Sequence, residues 1–384
     1  MRHQNTLFHA LLKFVPRHRF EAIVGRFAGD HRTRRLPCWS QFVAMLFAQL
    51  AGAQSLRELE AALSSHADRL YHLGAARPRR STLSDANAKR PVAIFEGVFA
   101  LLLGQLRDQL SGQASEALRL IDATPVALSR LSGWARFSDR WNGAKAHVVY
   151  DPHARVPTYF AVTPAKTNDI VAAKRMPIEA GATYVFDKAY YDFAWWAKLD
   201  AAGCRFVTRL KENSPVQSVK QHAVAEGPIR SDQLVRLNPR LARSRKNPYD
   251  KPLRCIVVAI DKNRELCLVS NDLEAPASEI AALYKARWQI ELFFKWVKQN
   301  LKIRRFLGTS ENAVKIQIIT ALIAYLLIRL AQHRHVPSLS LQRLARLIRI
   351  NLMHRKRLTH LLRPPTQRRR HENPQITMEL GLVC

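Results

Sequence analysis

One stretch of the chain carries most of the information about its fold and chemistry. It reads Tyr284-Lys285-Ala286-Arg287-Trp288-Gln289-Ile290-Glu291, and Lys298 follows seven residues later. At about 100° per residue, the spacing predicts one helix on which Tyr284, Arg287, Glu291 and Lys298 lie at about 0°, 300°, 340° and 320°. The opposite side carries apolar residues that can face a core: Ile290, Phe293, Trp296 and Val297. The pattern therefore predicts a helix with a polar face and a packing face.

The polar face suits phosphodiester cleavage. Glu291 is a candidate metal ligand, Arg287 and Lys298 can neutralise backbone phosphates, and Tyr284 can donate a hydrogen bond. Locally, Glu291 could equally be a surface partner of Arg287 or Lys295. Because one carboxylate cannot hold two metal ions, the hypothesis requires further acidic residues. The tryptophans of this stretch, Trp288 and Trp296, are predicted to pack in the core, since large aromatic residues at helical spacing usually do.

Two aspartates are the best further candidates. Asp122 follows the apolar run 118–121, and Asp187 follows the similar run 183–186. Both runs are typical of buried strands, and Pro125 is expected to stop the first soon after Asp122. A lone aspartate after a strand is more often a turn or cap residue. A strand end is nevertheless rigid and open, which is where a metal-holding carboxylate is useful.

Together these motifs resemble the insertion-sequence DDE transposases with a Y-x2-R-x3-E-x6-K signature. The resemblance covers about residues 8 to 330 and rests on ordered pieces: Asp122 with Ala123 and Thr124, Lys145-Ala146-His147, Asp187-Lys188-Ala189-Tyr190, 205–211 and 290–296. Two departures stand out. Ala189 replaces the glycine of many relatives, and no tryptophan occurs between Trp196 and Trp288, where relatives carry one associated with a flipped base.

The resemblance implies a DNA transposase with an RNase H-like mixed sheet flanked by helices. Asp122, Asp187 and Glu291 would be the catalytic metal ligands for Mg²⁺, with Mn²⁺ as a substitute, and Tyr284, Arg287 and Lys298 would contact DNA. The implied partners are double-stranded DNA, as inverted-repeat ends and target, and a second copy in a homodimeric synapse. The implied excision passes through a hairpin intermediate. Two alternatives stay open, namely an RNase H-like nuclease without strand transfer and a non-catalytic DNA-binding derivative.

Composition favours a polyanionic partner. Sixty-one Lys and Arg against 30 Asp and Glu give a net charge of +31, which fits nucleic acid. An acidic membrane surface is the competing partner, but the basic residues are spread along the chain, so no membrane partner is expected. The five cysteines show neither zinc nor disulfide spacing, which indicates a reducing, intracellular setting. With the resemblance, the expected location is the bacterial cytoplasm, in association with the nucleoid. The apolar run Ile318 to Ile328 is predicted to be a buried core helix. Serine-hydrolase, zinc-protease and P-loop motifs are absent.

The chain is predicted to have three parts. Residues 1–112 form a helical DNA-binding domain, 116–330 the catalytic domain interrupted by a β-rich insertion at 211–275, and 331–384 a basic helical region. In the first part, capping boxes are predicted at 55–58 and 82–85. A helix-turn-helix-like module would place Arg79, Arg80, Ser81 and Lys89 near DNA, the alternative being a plain helical bundle with a solvated turn.

The strands are predicted from alternating and apolar runs. The predicted elements are strands at 146–150, 158–162, 184–186 and 206–208, a helix at 193–199, and an insertion hairpin at 255–260 and 265–270. Basic residues cluster in the insertion at Arg236, Arg240, Arg243, Arg245 and Lys246, and again in the tail at Arg368-Arg369-Arg370.

Overall fold

The chain builds a long mixed sheet with helices on both faces and a helical N-terminal segment. A computed structural model describes residues 5–110, 116–138, 141–212, 214–224, 226–240, 246–261, 264–301, 305–355 and 357–361. Two predicted basic features, Arg243 with Arg245 and the tail arginines 368–370, lie outside the described residues. The predicted fold class, an α/β protein with an RNase H-like mixed sheet, is confirmed.

Residues 5–110 are helical, as predicted for this segment. The helices are α1 (Leu7–Leu12), α2 (Arg17–Arg26), α3 (Cys38–Ala51), α4 (Leu56–Ser64), α5 (Ala67–His72), α6 (Arg80–Lys89) and α7 (Ala93–Leu110).

Of the two capping boxes predicted in this segment, only the first is present. The capping box before α4 is confirmed, since Ser55 Oγ accepts a hydrogen bond from the Glu58 N–H at 3.1 Å. The second predicted capping box is wrong, because α6 already begins at Arg80 and Thr82 lies inside it. Arg79, which follows a proline, is extended and takes the cap position without a side-chain bond. The helix therefore begins directly at the basic turn.

Nine strands form one sheet in the order β3-β2-β1-β4-β5-β9-β8-β7-β6. They are β1 (Leu118–Leu128), β2 (Asn142–Asp151), β3 (Val156–Pro164), β4 (Thr183–Phe186), β5 (Arg205–Arg209), β6 (Val216–Gln221), β7 (Ile229–Leu237), β8 (Leu253–Asp261) and β9 (Arg264–Ser270).

The first five strands are the RNase H-like part. Strands β1, β2 and β3 form an antiparallel meander, while β4 pairs in parallel with both β1 and β5. Helix α8 (Asp169–Ala173) precedes β4, and α9 (Phe193–Ala201) connects β4 to β5. The predicted strand pair of β2 and β3 and the predicted strand-helix-strand unit are both confirmed, with longer strands than expected.

The expectation that β1 stops soon after Asp122 is wrong. The strand continues through Pro125 to Leu128, paired all along with β2. Strand β4 reaches only as far as Phe186, which lies opposite Ile121. From Asp122 onward β1 therefore has no β4 residue paired beside it, and proline is tolerated in a strand with one free edge.

The strands of the insertion extend the same sheet. The predicted hairpin of β8 and β9 is confirmed, although its turn residues 262–263 lie outside the described part of the chain. Strand β9 pairs antiparallel with β5, where Ser270 lies opposite Val207. The segment between β5 and the next helix thus continues the sheet edge and does not form a separate sheet.

Four helices follow the sheet: α10 (Ala277–Ala286), α11 (Trp288–Asn300), α12 (Glu311–His335) and α13 (Leu341–Asn351). The prediction of one continuous helix from Tyr284 to Lys298 is wrong at Arg287, where α10 ends and α11 begins. The reason is a tightening of the backbone, since the Arg287 N–H bonds to the Tyr284 carbonyl, three residues back, at 3.1 Å. The signature therefore spans a helix junction.

Helix α12 is the central core helix. By length and composition this helix could cross a membrane. It is longer than the apolar run from Ile318 to Ile328 that the sequence analysis identified. Its apolar residues are almost entirely buried against α3, α6, α7 and α13, which confirms the predicted buried core helix. This core lies on the sheet face that also packs α11. The other face packs a second core around α9, with Trp195 and Trp196 at its centre.

Candidate active site

The parallel pairing of β1 and β4 brings two of the predicted residues together. Ile121 lies opposite Phe186, and paired strands are about 4.8 Å apart, so the residues that follow, Asp122 and Asp187, are neighbours. Asp187 comes directly after β4, as predicted, whereas Asp122 lies inside β1 and not at its end. Asp187 caps a short 3₁₀ turn at Lys188–Tyr190, and its Oδ1 accepts a hydrogen bond from the Ala189 N–H at 2.8 Å. Ala189 does not adopt a left-handed backbone, so the missing glycine costs this turn nothing.

Asp122 is a partly desolvated carboxylate. Its side chain is 20% exposed, and its Oδ1 accepts a hydrogen bond from the Ala123 N–H at 2.8 Å. Burial raises the pKa of the Asp122 carboxyl to about 6, and the negative charges of Asp187 and Glu291 add to that shift. The hydrogen bond from Ala123 and the positive charge of Arg287 oppose it. Negative charge is therefore concentrated at this end of the sheet.

Glu291 joins this group from the first turn of α11. Its Oε1 lies 2.8 Å from Arg287 Nη2, and Arg287 Nη1 lies 3.9 Å from Asp122 Oδ2. The guanidinium thus stands between the carboxylates of Asp122 and Glu291. Across the residues that the structure describes, no three carboxylate, imidazole or thiol side chains lie close enough together to form a ready metal site.

The two other predicted DNA-contacting residues flank this arrangement. Tyr284 is only 8% exposed, and the guanidinium carbon of Arg287 lies 5.6 Å from the centre of its ring. Burial raises the pKa of Tyr284. Lys298 lies on α11 two turns beyond Glu291 and is partly exposed. All of the predicted site residues thus belong to β1, the end of β4, α10, α11 or the junction between these helices.

Of the two tryptophan predictions, one is confirmed and the other is wrong. Trp296 packs against Tyr325, with ring centres 5.1 Å apart, as expected of a core residue. Trp288 is 59% exposed beside Arg287, so the prediction that it packs is wrong. As the first residue of α11 it lies about 200° around the helix from the buried Ile290, which leaves its ring in solvent.

The second face of the sheet carries a buried polar cluster that was not predicted from the sequence. Lys145 Nζ lies 2.8 Å from Asp169 Oδ1, and His147 Nε2 lies 2.9 Å from Thr163 Oγ1. His147 Nδ1 is buried 3.8 Å from the same Asp169 oxygen. Lys145 and His147 belong to one sequence motif, but Asp169 lies 24 residues from Lys145, and no local pattern connects the two.

This cluster predicts acid sensitivity. Burial lowers the pKa of His147 from 6.5 to about 4, so the imidazole is neutral in the folded protein at neutral pH. Below pH 6.5 the unfolded chain takes up this proton and the folded chain does not, so stability falls as the pH drops toward 4. The loss should reach roughly 3 kcal/mol. We expect His147→Gln to retain more of its pH 7 stability at pH 4.5, measured by urea unfolding.

The control for this prediction is His153→Gln on the exposed loop between β2 and β3, which should leave the acid sensitivity unchanged. An acid loss in His147→Gln as large as in the unchanged protein would remove His147 from the explanation.

Acidic side chains on neighbouring segments of such a mixed sheet, beside a helix with a third carboxylate, are typical of the class of RNase H-like enzymes that cut or join polynucleotides. A family model described as a transposase DDE domain matches residues 113–327, and a domain of unknown function matches residues 3–76. The chain belongs to the DDE transposase family, as its sequence motifs indicated.

Two relatives by sequence agree with this assignment. A putative transposase of Sinorhizobium fredii, y4zB, is 42% identical over 303 residues, which cover 78% of this chain and 84% of that protein. A probable insertion-sequence transposase of Geobacillus stearothermophilus is 29% identical over 67% of this chain and 68% of its own length. A solved piggyBac transposase synaptic complex with hairpin DNA aligns over 96% of this chain and 84% of that chain, with 11% identity and a TM-score of 0.46.

The protein is therefore a DNA transposase, an enzyme that cleaves DNA and transfers strands. Enzymes of this family bind DNA and generally use a divalent metal.

Proposed function

We propose that Asp122, Asp187 and Glu291 are the catalytic carboxylates and that they hold Mg²⁺, with Mn²⁺ as a substitute. The observation that carries this proposal is the adjacency of Asp122, on β1, and Asp187, directly after β4, with Arg287 between Asp122 and Glu291. The donor set fits the ion, since carboxylate oxygens are the ligands that Mg²⁺ prefers. Two ions bound there would activate water or a DNA 3′-hydroxyl and stabilise charge on the leaving oxygen.

The remaining residues of the signature act on the DNA backbone in this proposal. Arg287 offers a planar guanidinium that suits bidentate binding to a phosphate, and Lys298 offers a point charge two turns further along α11. Tyr284, buried beneath the guanidinium, positions Arg287. Each group thus binds or orients the phosphodiester next to the carboxylates, and the attacking oxygen is directed in line with the leaving one.

Lys298 gives a direct test of the phosphate role. We expect Lys298→Ala to weaken DNA binding at every duplex sequence and to reduce the slope of log affinity against log salt by about 0.9, the share of one phosphate contact. Fluorescence anisotropy over a salt series measures both. The matched control is Lys285→Ala, which removes an exposed lysine from α10. A slope that falls equally in both variants would show only a general effect of charge.

We extend the proposal to the assembly and to the N-terminal helices. Two copies would pair the inverted-repeat ends of the element, excision would pass through a DNA hairpin, and Arg79, Arg80, Ser81 and Lys89 around α6 would contact DNA. All of this would take place in the bacterial cytoplasm, at the nucleoid. The side chains of Arg79 and Arg80 are exposed, in accord with this role. Denaturing gels of cleaved ends and sizing of protein-DNA complexes test the hairpin and the dimer.

A further inference from the structure

Arg287 occupies a position that the phosphate role alone does not explain. Its guanidinium lies between two of the three proposed metal ligands, 2.8 Å from Glu291 Oε1 and 3.9 Å from Asp122 Oδ2. The side chain is only 16% exposed. It therefore points into the carboxylate group and leaves little of its charge to solvent.

Electrostatics explains why a cation is stabilised there. Neighbouring carboxylates repel each other, and two unit charges 4 Å apart interact by about 4 kcal/mol at an effective dielectric constant of 20. A guanidinium cannot be deprotonated in a protein, so Arg287 supplies a permanent positive charge between Asp122 and Glu291. A divalent ion bound by these carboxylates would meet the same charge as a competitor.

The hydrogen bonding of Arg287 shows that this position is only partly satisfied. Its guanidinium makes a short contact with Glu291 and also interacts with the Tyr284 side chain, while the 3.9 Å approach to Asp122 is too long for a hydrogen bond. Among the described residues, its buried Nε has no hydrogen-bond partner. A DNA phosphate can accept two parallel N–H bonds from a guanidinium, so it offers Arg287 more than the carboxylates do.

We infer that Arg287 is an internal counter-cation that keeps divalent ions from the carboxylates until a DNA phosphate draws its side chain away. The inference rests on the proposed function of the carboxylates and adds a regulation of that site. Metal binding by the free protein is then weak, and DNA binding strengthens it. By linkage, bound metal strengthens DNA binding by the same factor. The carboxylates thereby take up metal mainly after DNA has bound.

The test is Mn²⁺ binding by the free protein, followed by electron paramagnetic resonance without DNA. We expect Arg287→Gln to bind Mn²⁺ about tenfold tighter than the unchanged protein, within the usual range of such couplings. A short blunt-ended DNA duplex should tighten Mn²⁺ binding in the unchanged protein and have little effect in Arg287→Gln. Equal or weaker Mn²⁺ binding in Arg287→Gln, with its fold verified by circular dichroism, would overturn the inference.

Three further variants sharpen the test. Lys285→Gln removes one positive charge nearby without touching the carboxylates, so its Mn²⁺ affinity should stay unchanged. Arg287→Lys keeps the charge and should keep Mn²⁺ binding weak. Adding Glu291→Gln to Arg287→Gln should remove the tight Mn²⁺ binding. If tight binding persists in that double variant, the proposed carboxylate site itself is wrong, whereas equal binding in Arg287→Gln and the unchanged protein overturns only the counter-cation.

Discussion

Replacing Glu291 by Gln will abolish cleavage of transposon ends and leave their binding nearly intact. The amide keeps the size of the side chain and a hydrogen-bond acceptor for Arg287 but removes the charge that a divalent ion requires. If the lost charge interaction raises the activation free energy of cleavage by roughly 4 kcal/mol, the rate falls about a thousandfold. The measurement is nicking of a plasmid that carries the inverted repeats flanking the coding region, with Mg²⁺ and with Mn²⁺.

The matched control is Glu274→Gln, which neutralises an exposed glutamate before α10 and should cleave normally. Binding of the same repeats, measured without metal, separates loss of chemistry from loss of folding. Cleavage by Glu291→Gln within about tenfold of the unchanged protein would refute the assignment of Glu291 as a metal ligand. The same assay with pre-cleaved ends and target DNA reports joined product, which a nuclease lacking strand transfer would not form.

The strands that carry the aspartates were predictable because they depend on local rules. An apolar run followed by an aspartate indicates a buried strand that ends near the carboxylate. This holds for Asp187, which comes directly after β4, whereas β1 continues past Asp122 to Leu128. The adjacency of Asp122 and Asp187 depends on the parallel register of Ile121 with Phe186, which no local pattern fixes. The packing face of α11 followed from helical spacing, and Ile290 and Phe293 are indeed buried.

The parts that sequence could not predict depend on tertiary contacts. The junction at Arg287 arises where α10 and α11 each pack separately on the sheet, and nothing in a local window marks it. Pro125 does not end β1, because β4 stops at Phe186 and leaves that edge of β1 without a β4 partner. Asp169 reaches Lys145 only because α8 folds over β2, which no spacing rule foretells.

The insertion shows a second kind of limit. The hairpin of β8 and β9 was predictable from two apolar runs around a short turn. The pairing of β9 with β5 was not predictable, since it joins residues about sixty positions apart. This pairing makes the insertion a continuation of the sheet that holds Asp187. The insertion strands and the strands beside Asp122 and Asp187 are therefore hydrogen-bonded into one sheet.

The strongest effect on stability is expected at the ion pair that fixes this insertion. Arg254 on β8 and Asp232 on β7 are both buried and form two hydrogen bonds, of which Nη2 to Oδ2 measures 2.6 Å. Arg254 Nη1 also donates to the Leu273 carbonyl at 2.5 Å, just before α10. Asp232→Ala leaves this guanidinium buried without its partner, so we expect a loss of about 3–5 kcal/mol in the free energy of unfolding.

Urea unfolding followed by tryptophan fluorescence measures this loss. The control is Asp261→Ala, whose pair with Arg264 is exposed and should contribute less than about 1 kcal/mol. The double variant Asp232→Leu with Arg254→Met should recover most of the stability, because apolar residues of similar size can replace a buried ion pair. A loss in Asp232→Ala no greater than in Asp261→Ala would contradict the prediction.

Because Arg254 also holds the segment that leads into α10, Asp232→Ala should shift Arg287 and lower cleavage even where the protein remains folded.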